Sequence, residues 1–284
     1  MPLSKRLLVL PILTSILLGF AAIIYLFGDY AEADDKFAGQ QWKLPKYLSE
    51  ASGLALIQDR ELLIHNDEEG LIYSVDVDTM VTRLVASLGS PTIRSDFEGI
   101  AIANGDVYLS TSMGLLYRAQ NLSLVKNDQH IEPQIIDTGL GKTCEMEGLV
   151  YLEGLLLLPC KTAYVAEHKE KLLVFAYSLA ERTTQIIIEI PTADLEGLKK
   201  VQPTAIDIDR EHYYILSGHR LIVIDRELTT TRVYALPKKR HTKPEGIAVL
   251  SDGGLVIVDD NKKGKSRLTY YKGLHALKEK REKL

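Results

Sequence analysis

Acidic side chains recur at one place in this chain, just ahead of a short apolar phrase. Asp96 and Glu98 precede Gly99-Ile100-Ala101, Glu145 and Glu147 precede Gly148-Leu149-Val150, and Glu245 precedes Gly246-Ile247-Ala248; Glu50 stands just ahead of Ser52-Gly53-Leu54-Ala55. A second polar group follows each phrase: His65-Asn66-Asp67-Glu68, Ser110-Thr111-Ser112, Lys161, Ser217-Gly218-His219 and Asp259-Asp260-Asn261. Carboxylates gathered at one site repel each other, and an unpaired buried one is strongly unfavourable. They must be paired, protonated or bound to a cation. Arg94, Lys142 and Lys243 lie just upstream of acids and are the expected ion-pair partners. A hard cation such as calcium takes about 6–8 oxygen ligands from carboxylates, amides and carbonyls. Asp67, Glu98, Glu147, Asp259 and Asn261 offer that donor type and form the expected metal set. His65, Asn66, Asp67, Glu68, Asp96 and Glu245 form the expected ligand-binding set. No clustered His and Cys suits zinc. The ring glutamates also have a structural alternative, in which each accepts hydrogen bonds from neighbouring backbone and acts as a rivet.

These residues converge only if the repeats stack around an axis. Counted at the second residue, the phrases Ser52-Gly53, Glu98-Gly99, Glu147-Gly148, Thr204-Ala205 and Glu245-Gly246 are spaced by 46, 49, 57 and 41 residues. Strand-rich periods of roughly 40–50 residues mark propeller blades. Each unit runs from an apolar stretch through a turn to a second stretch: Asn104-Gly105-Asp106, Glu153-Gly154, Asp209-Arg210-Glu211 and Ser251-Asp252-Gly253-Gly254 are the turns. Asn-Gly between apolar runs is a strong hairpin signal. Gly or Ala heads each unit because the first strand of every blade lines a narrow channel. The up-and-down path then puts both polar groups at one channel mouth. The expected fold is all-β, a propeller of five blades over residues 40–273. Gln40–Leu44 supplies the missing strand of the last blade and removes an open edge. A sixth, degenerate blade around Gln185–Ile190 is the alternative, given the long interval from Gly148 to Ala205.

The ends of the chain place this domain. Residues 1–6 carry Lys5 and Arg6, and residues 7–27 are free of charge. That length suits a bilayer, which needs about 20 apolar residues, and basic residues ahead of the span hold that end in the cytoplasm. The expected arrangement is one transmembrane helix, a linker over 28–39 and a propeller on the far side of the inner (plasma) membrane, in a periplasm or outside the cell. Ala31-Glu32-Ala33 also resembles a signal-peptide cleavage site. Cys144 and Cys160 are then a disulfide candidate, although a Glu153-Gly154 turn sets residue 147 opposite 160; two unrelated thiols are the alternative. Net charge is −4, but from Val201 to Leu284 there are 17 basic and 11 acidic residues. Residues 274–284 form a basic tail. No nucleic-acid motif is present.

Four phrases carry a resemblance: Glu50-Ala51-Ser52-Gly53-Leu54-Ala55; His65-Asn66-Asp67-Glu68 followed by Gly70 and Ile72-Tyr73; Asp96-Phe97-Glu98-Gly99-Ile100-Ala101; and Lys243-Pro244-Glu245-Gly246-Ile247-Ala248. Together they resemble the SdiA-regulated propeller family of bacterial envelope proteins, over Trp42 to about Tyr271. The chain is more distantly similar to phytase-like and esterase-like propellers, some of which bind calcium at the channel mouth. The resemblance implies an extracytoplasmic propeller without fixing its activity. Cys144-Glu145-Met146-Glu147 and Thr204-Ala205-Ile206 depart from the pattern, so an acidic ring is incomplete at the fourth blade.

Two functions remain open. The first is a membrane-tethered binding module with a cation at its mouth, recognising an envelope ligand or protein. The second is a calcium-dependent phosphoester or carboxylester hydrolase, in which the cation polarises substrate. There Glu98 or Glu147 acts as base and Arg94 and Lys243 hold anionic charge. No Ser-His-Asp arrangement or Gly-x-Ser-x-Gly elbow is present.

Overall fold

Each repeated phrase is the innermost strand of a blade in the computed structural model, which describes residues 39–195, 197–261 and 264–279. Among the described residues there are five blades. Blade I comprises Ala51–Gln58, Glu61–Asn66, Leu71–Asp76 and Thr82–Leu88, and blade II Phe97–Ala103, Asp106–Thr111, Leu115–Ala119 and Gln134–Asp137. Blade III has an interrupted inner strand, Cys144–Met146 and Val150–Leu152, followed by Leu155–Ala163, Lys171–Ser178 and Thr184–Pro191. Blade IV comprises Pro203–Ile208, His212–Ser217, Arg220–Asp225 and Thr231–Ala235. Blade V takes Pro244–Val249, Leu255–Asp259 and Arg267–Tyr271, and its outer strand is Gln41–Lys43 from the other end of the chain.

That last pairing is the expected closure. Gln41 sits opposite Thr269, Trp42 opposite Leu268 and Lys43 opposite Arg267. Two outer edges are covered further, by Gln129–Ile131 beside blade I and Lys278–Glu279 beside blade IV. The sixth-blade alternative is resolved: Gln185–Ile190 lies within the outer strand of blade III. The expected transmembrane helix over 7–27, together with residues 1–6 and 28–38, lies outside the described residues. Among the described residues no helix is long and apolar enough to cross a membrane.

The hairpins form where expected. Asn104 and Gly105 both have positive φ, 53° and 85°, as do Glu153 and Gly154, 48° and 91°. That is the requirement of a tight turn matching strand twist. Middle strands such as Leu62–Ile64 and Val256–Val258 are buried on both faces, which explains their unbroken apolar runs. Four apolar clusters fill the wedges between successive blades from I to V.

The inner strands touch in a closed cycle, I to II to III to IV to V and back to I. Its waist is built from Gly53, Gly99, Gly148, Ala205 and Gly246. A Cβ on Gly99 would come within 2.5 Å of the Gly148 carbonyl carbon, and one on Gly148 within 2.9 Å of the Ala205 Cα. The void left at the waist is only about 10 Å³, room for about one water. Whatever the mouth binds stays at the mouth.

Candidate functional site

A β-bulge in each blade builds the mouth. Strand pairing skips one residue between Ala51 and Gly53, Phe97 and Gly99, Pro203 and Ala205, and Pro244 and Gly246. The skipped residues are Ser52, Glu98, Thr204 and Glu245. In blade III the register shifts between Glu145 and Met146, and the inner strand stops at Glu147. A bulge breaks side-chain alternation and re-aims the extra residue. Four bulges thus present Ser52, Glu98, Thr204 and Glu245; in blade III the skipped residue is Lys161 on the second strand, and Glu147 holds the matching place just ahead of Gly148.

Three of these are carboxylates, met by two lysines. Lys161, at the end of the second strand of blade III, bonds Glu147 through its ammonium and lies 3.6 Å from Glu145. Lys243 bridges Glu245 at 2.7 Å and Asp260 at 2.9 Å. Ser52 donates its hydroxyl to Glu98 across the blade boundary, at 3.2 Å. Glu147 and Glu245 are only 2% and 4% exposed. Burial, reinforced by the charges of Glu147, Asp96 and Glu245, raises Glu98 to about 9. Burial and the Glu245 charge raise Glu147 to about 8, against the pull of Lys161. Glu245 is raised too, by burial, despite its bond to Lys243. On Lys161, burial is the largest effect and acts downward, yet Glu147, Glu145 and Glu245 together lift it above its ordinary value. The mouth thus uses two of the three remedies for crowded acids: lysine pairing at Glu147 and Glu245, and a raised proton affinity that is greatest at Glu98 and shared by Glu147.

The rivets between blades are main-chain bonds. Gly148 N–H donates to the Glu98 carbonyl at 2.7 Å, Phe97 N–H to the Asp67 carbonyl at 2.8 Å and Met146 N–H to the Ser112 carbonyl at 2.8 Å. Among the described residues, the side-chain oxygens of Glu147 and Glu245 bond lysines instead. Their other oxygens, Oε2 of each, are buried with no hydrogen-bond partner, as is Oδ1 of Asp260.

Several expected members go elsewhere. Arg94 pairs with Glu68 at 2.5 Å and Glu69 at 2.7 Å on the exposed rim, so neither Arg94 nor Glu68 holds mouth charge. Lys142 is exposed; Lys161 takes its expected role. Asn66 closes its own turn, accepting from the amides of Glu68 and Glu69 at 3.2 and 2.9 Å. Asp96 accepts from the Ser112 hydroxyl. Asp259 is fully buried: one oxygen meets His241 Nδ1 at 2.8 Å, the other accepts from the Thr242 and Lys243 amides at 2.8 and 3.2 Å. His241 in turn reaches the Tyr271 hydroxyl at 2.7 Å. That inward chain leaves Asp259 no oxygen for a metal. Asn261 sits in an exposed loop, its amide 3.5 Å from the Lys265 carbonyl. His65 is fully buried, its Nε2 without a hydrogen-bond partner, beside Gly53. Burial lowers its pKa to about 4, so it is neutral.

Of the expected metal set, the structure brings Glu98 and Glu147 together. Among the described residues no three His, Cys, Asp or Glu side chains stand as a ready ligand set. The donor chemistry nevertheless suits a hard cation, since the orphaned oxygens of Glu147, Glu245 and Asp260 are carboxylate oxygens. The two ammonium groups stand beside those carboxylates. The cysteines are joined, Cys144 to Cys160, with Cα atoms 5.6 Å apart. The bulge at Glu145/Met146 makes this reachable, setting Met146 rather than Glu147 opposite Cys160.

Asp260 lies at the mouth, as its place in the second polar group predicts, although neither expected ligand set includes it. Ser52 and Thr204 are the mouth residues that the sequence reading lacks; their signal is a polar side chain before Gly or Ala in all five phrases, acidic in only three of them.

No family model matches the chain, and no curated protein matches it. Among solved structures the fold is similar to the glutaminyl cyclase of Myxococcus xanthus, with a TM-score of 0.52 and 14% identity over 84% of this chain and 94% of that one. It is also similar to the PQQ-bound aldose sugar dehydrogenase of Streptomyces coelicolor, with a TM-score of 0.51 and 13% identity over 82% and 97%. At such identities the likeness shows the propeller fold and carries no chemistry.

Proposed function

We propose that this chain is a ligand-binding propeller of the bacterial envelope, tethered by residues 7–27, with a cation site at its carboxylate mouth. The observation that carries this reading is the pair of buried, partnerless oxygens on Glu147 and Glu245, beside Glu98, whose carboxyl is raised to about 9 by burial and neighbouring acids. Calcium is the leading cation, because all the available donors are oxygen. Glu98, Glu147, Glu245 and Asp260 would hold it, and Lys161 and Lys243 would withdraw toward solvent. The closed waist supports binding at the mouth over passage through the channel. The disulfide supports an oxidising compartment, and the motifs support kinship with the SdiA-regulated family.

Thermal unfolding of the full chain in calcium or EDTA tests the cation. A ligand at about 100 times its dissociation constant adds about 2.7 kcal/mol to stability. The expected result is a rise in Tm with calcium that disappears in Glu147→Gln/Glu245→Gln. No rise would remove the cation from the account.

One observation favours the hydrolase as a second reading. A carboxyl raised to about 9 is a proton donor at neutral pH, beside the lower Glu147. Glu98 would then be the general acid rather than the base, and Arg94 would have no part. Release of 4-nitrophenol from its phosphate or acetate ester, abolished in Glu98→Ala, would support it; no turnover with or without calcium would exclude these esters.

A further inference from the structure

Blade III is the long one, and its extra length lines an open cavity at the surface. The interval from Gly148 to Ala205 holds 57 residues against 41 to 49 elsewhere. The surplus lies in strands of eight and nine residues and in two single-turn helices, Ala166–His168 and Thr192–Asp194. With residues 198–202 entering blade IV, these turns wall a cavity of about 690 Å³. That volume falls in the range of small-molecule sites, about 300–1,000 Å³.

The lining combines basic and apolar side chains. Among the described residues, five lysines and one carboxylate line it. Lys161 faces Glu147 and Lys171 pairs with Glu189 at 2.5 Å. Lys169, Lys199 and Lys200 have no carboxylate partner among the described residues. His168 adds a largely buried ring packed edge-on against Phe175, its Nδ1 without a hydrogen-bond partner. Pro191, Leu198 and Val201 form the apolar wall. Lysine gives point-charge recognition of anions without the planar fork of arginine, so the charge count of the ligand matters more than its shape.

We propose that this cavity binds a small organic dianion, a phosphate monoester or dicarboxylate on an apolar body. Lys169, Lys199 and Lys200 take the charge, and Pro191, Leu198 and Val201 take the body. Lys161, shared by the cavity and the mouth, couples the two sites. The inference goes beyond the cation reading and stands without it.

Calorimetric titration of phenyl phosphate and of phthalate into the full chain, without calcium, tests it. The expected result is saturable binding of at least one probe, weakened about tenfold in Lys199→Gln/Lys200→Gln and weakened by salt. Inorganic phosphate should bind less tightly for want of the apolar body. Both lysines are exposed, so an unchanged Tm in the variant shows that the fold is intact. Binding of neither probe, or equal binding by wild type and variant, would overturn the proposal. Equal binding of phenyl phosphate and inorganic phosphate would overturn the role of the apolar wall. Failure of calcium to raise Tm leaves this result independent, since no metal is in the titration.

Discussion

Between pH 4.5 and about 9 the folded chain holds a proton on Glu98 that the unfolded chain has released. A raised acid therefore contributes its full stability below 4.5 and loses it as pH rises toward 9. Glu98→Gln removes that dependence, and urea unfolding across this window should show a shallower fall, by up to about 1.4 kcal/mol per pH unit. An unchanged slope would mean that Glu98 is already ionised. His65 works the other way: its lowered value means stability falls as pH drops from 6.5 toward 4. At the waist, Gly99→Ala puts a methyl 2.5 Å from backbone that cannot yield. It should destabilise the domain by about 3 kcal/mol or more, as overpacking against rigid neighbours does; a loss below about 1 kcal/mol would show that the blades can part.

The bulge is the element that makes the mouth. It explains why the sequence showed which residues converge more clearly than how they pair. Spacing and turn residues located all five inner strands, because Asn-Gly and Glu-Gly turns act locally. Arg94 and Lys142 were assigned by proximity along the chain, yet ion pairing follows register: Lys161 reaches Glu147 from the adjacent strand, fourteen residues on. The same register shift brings Cys144 to Cys160. That bond closes a loop of sixteen residues, worth about 3 kcal/mol by chain entropy. Cys144→Ser/Cys160→Ser should lose about that much in chemical denaturation. It should also loosen the Glu145–Glu147 bulge, seen as weaker calcium binding at temperatures where the fold persists. Wild-type calcium affinity in the double variant would separate the disulfide from the mouth.

Across the whole molecule, a strand from one end of the chain completes the blade made by the other. Removing residues 1–44 deletes Gln41–Lys43 and leaves blade V with an open edge. The expected outcome is a large drop in Tm and aggregation; an unchanged Tm would mean the ring holds without its clasp. Closure was legible because Gln40–Leu44 alternates like a strand and blade V lacked one. The cavity in blade III was not legible, because a long interval looks the same whether it holds a blade or a wall. Only side-chain placement reveals that its lysines face one space. The most direct test of the central claim is calorimetric titration of calcium into the full chain at neutral pH, in two buffers of different ionisation enthalpy. The account predicts binding accompanied by proton release, with less release in Glu98→Gln. Absence of calcium binding, or binding with no proton released, would contradict it.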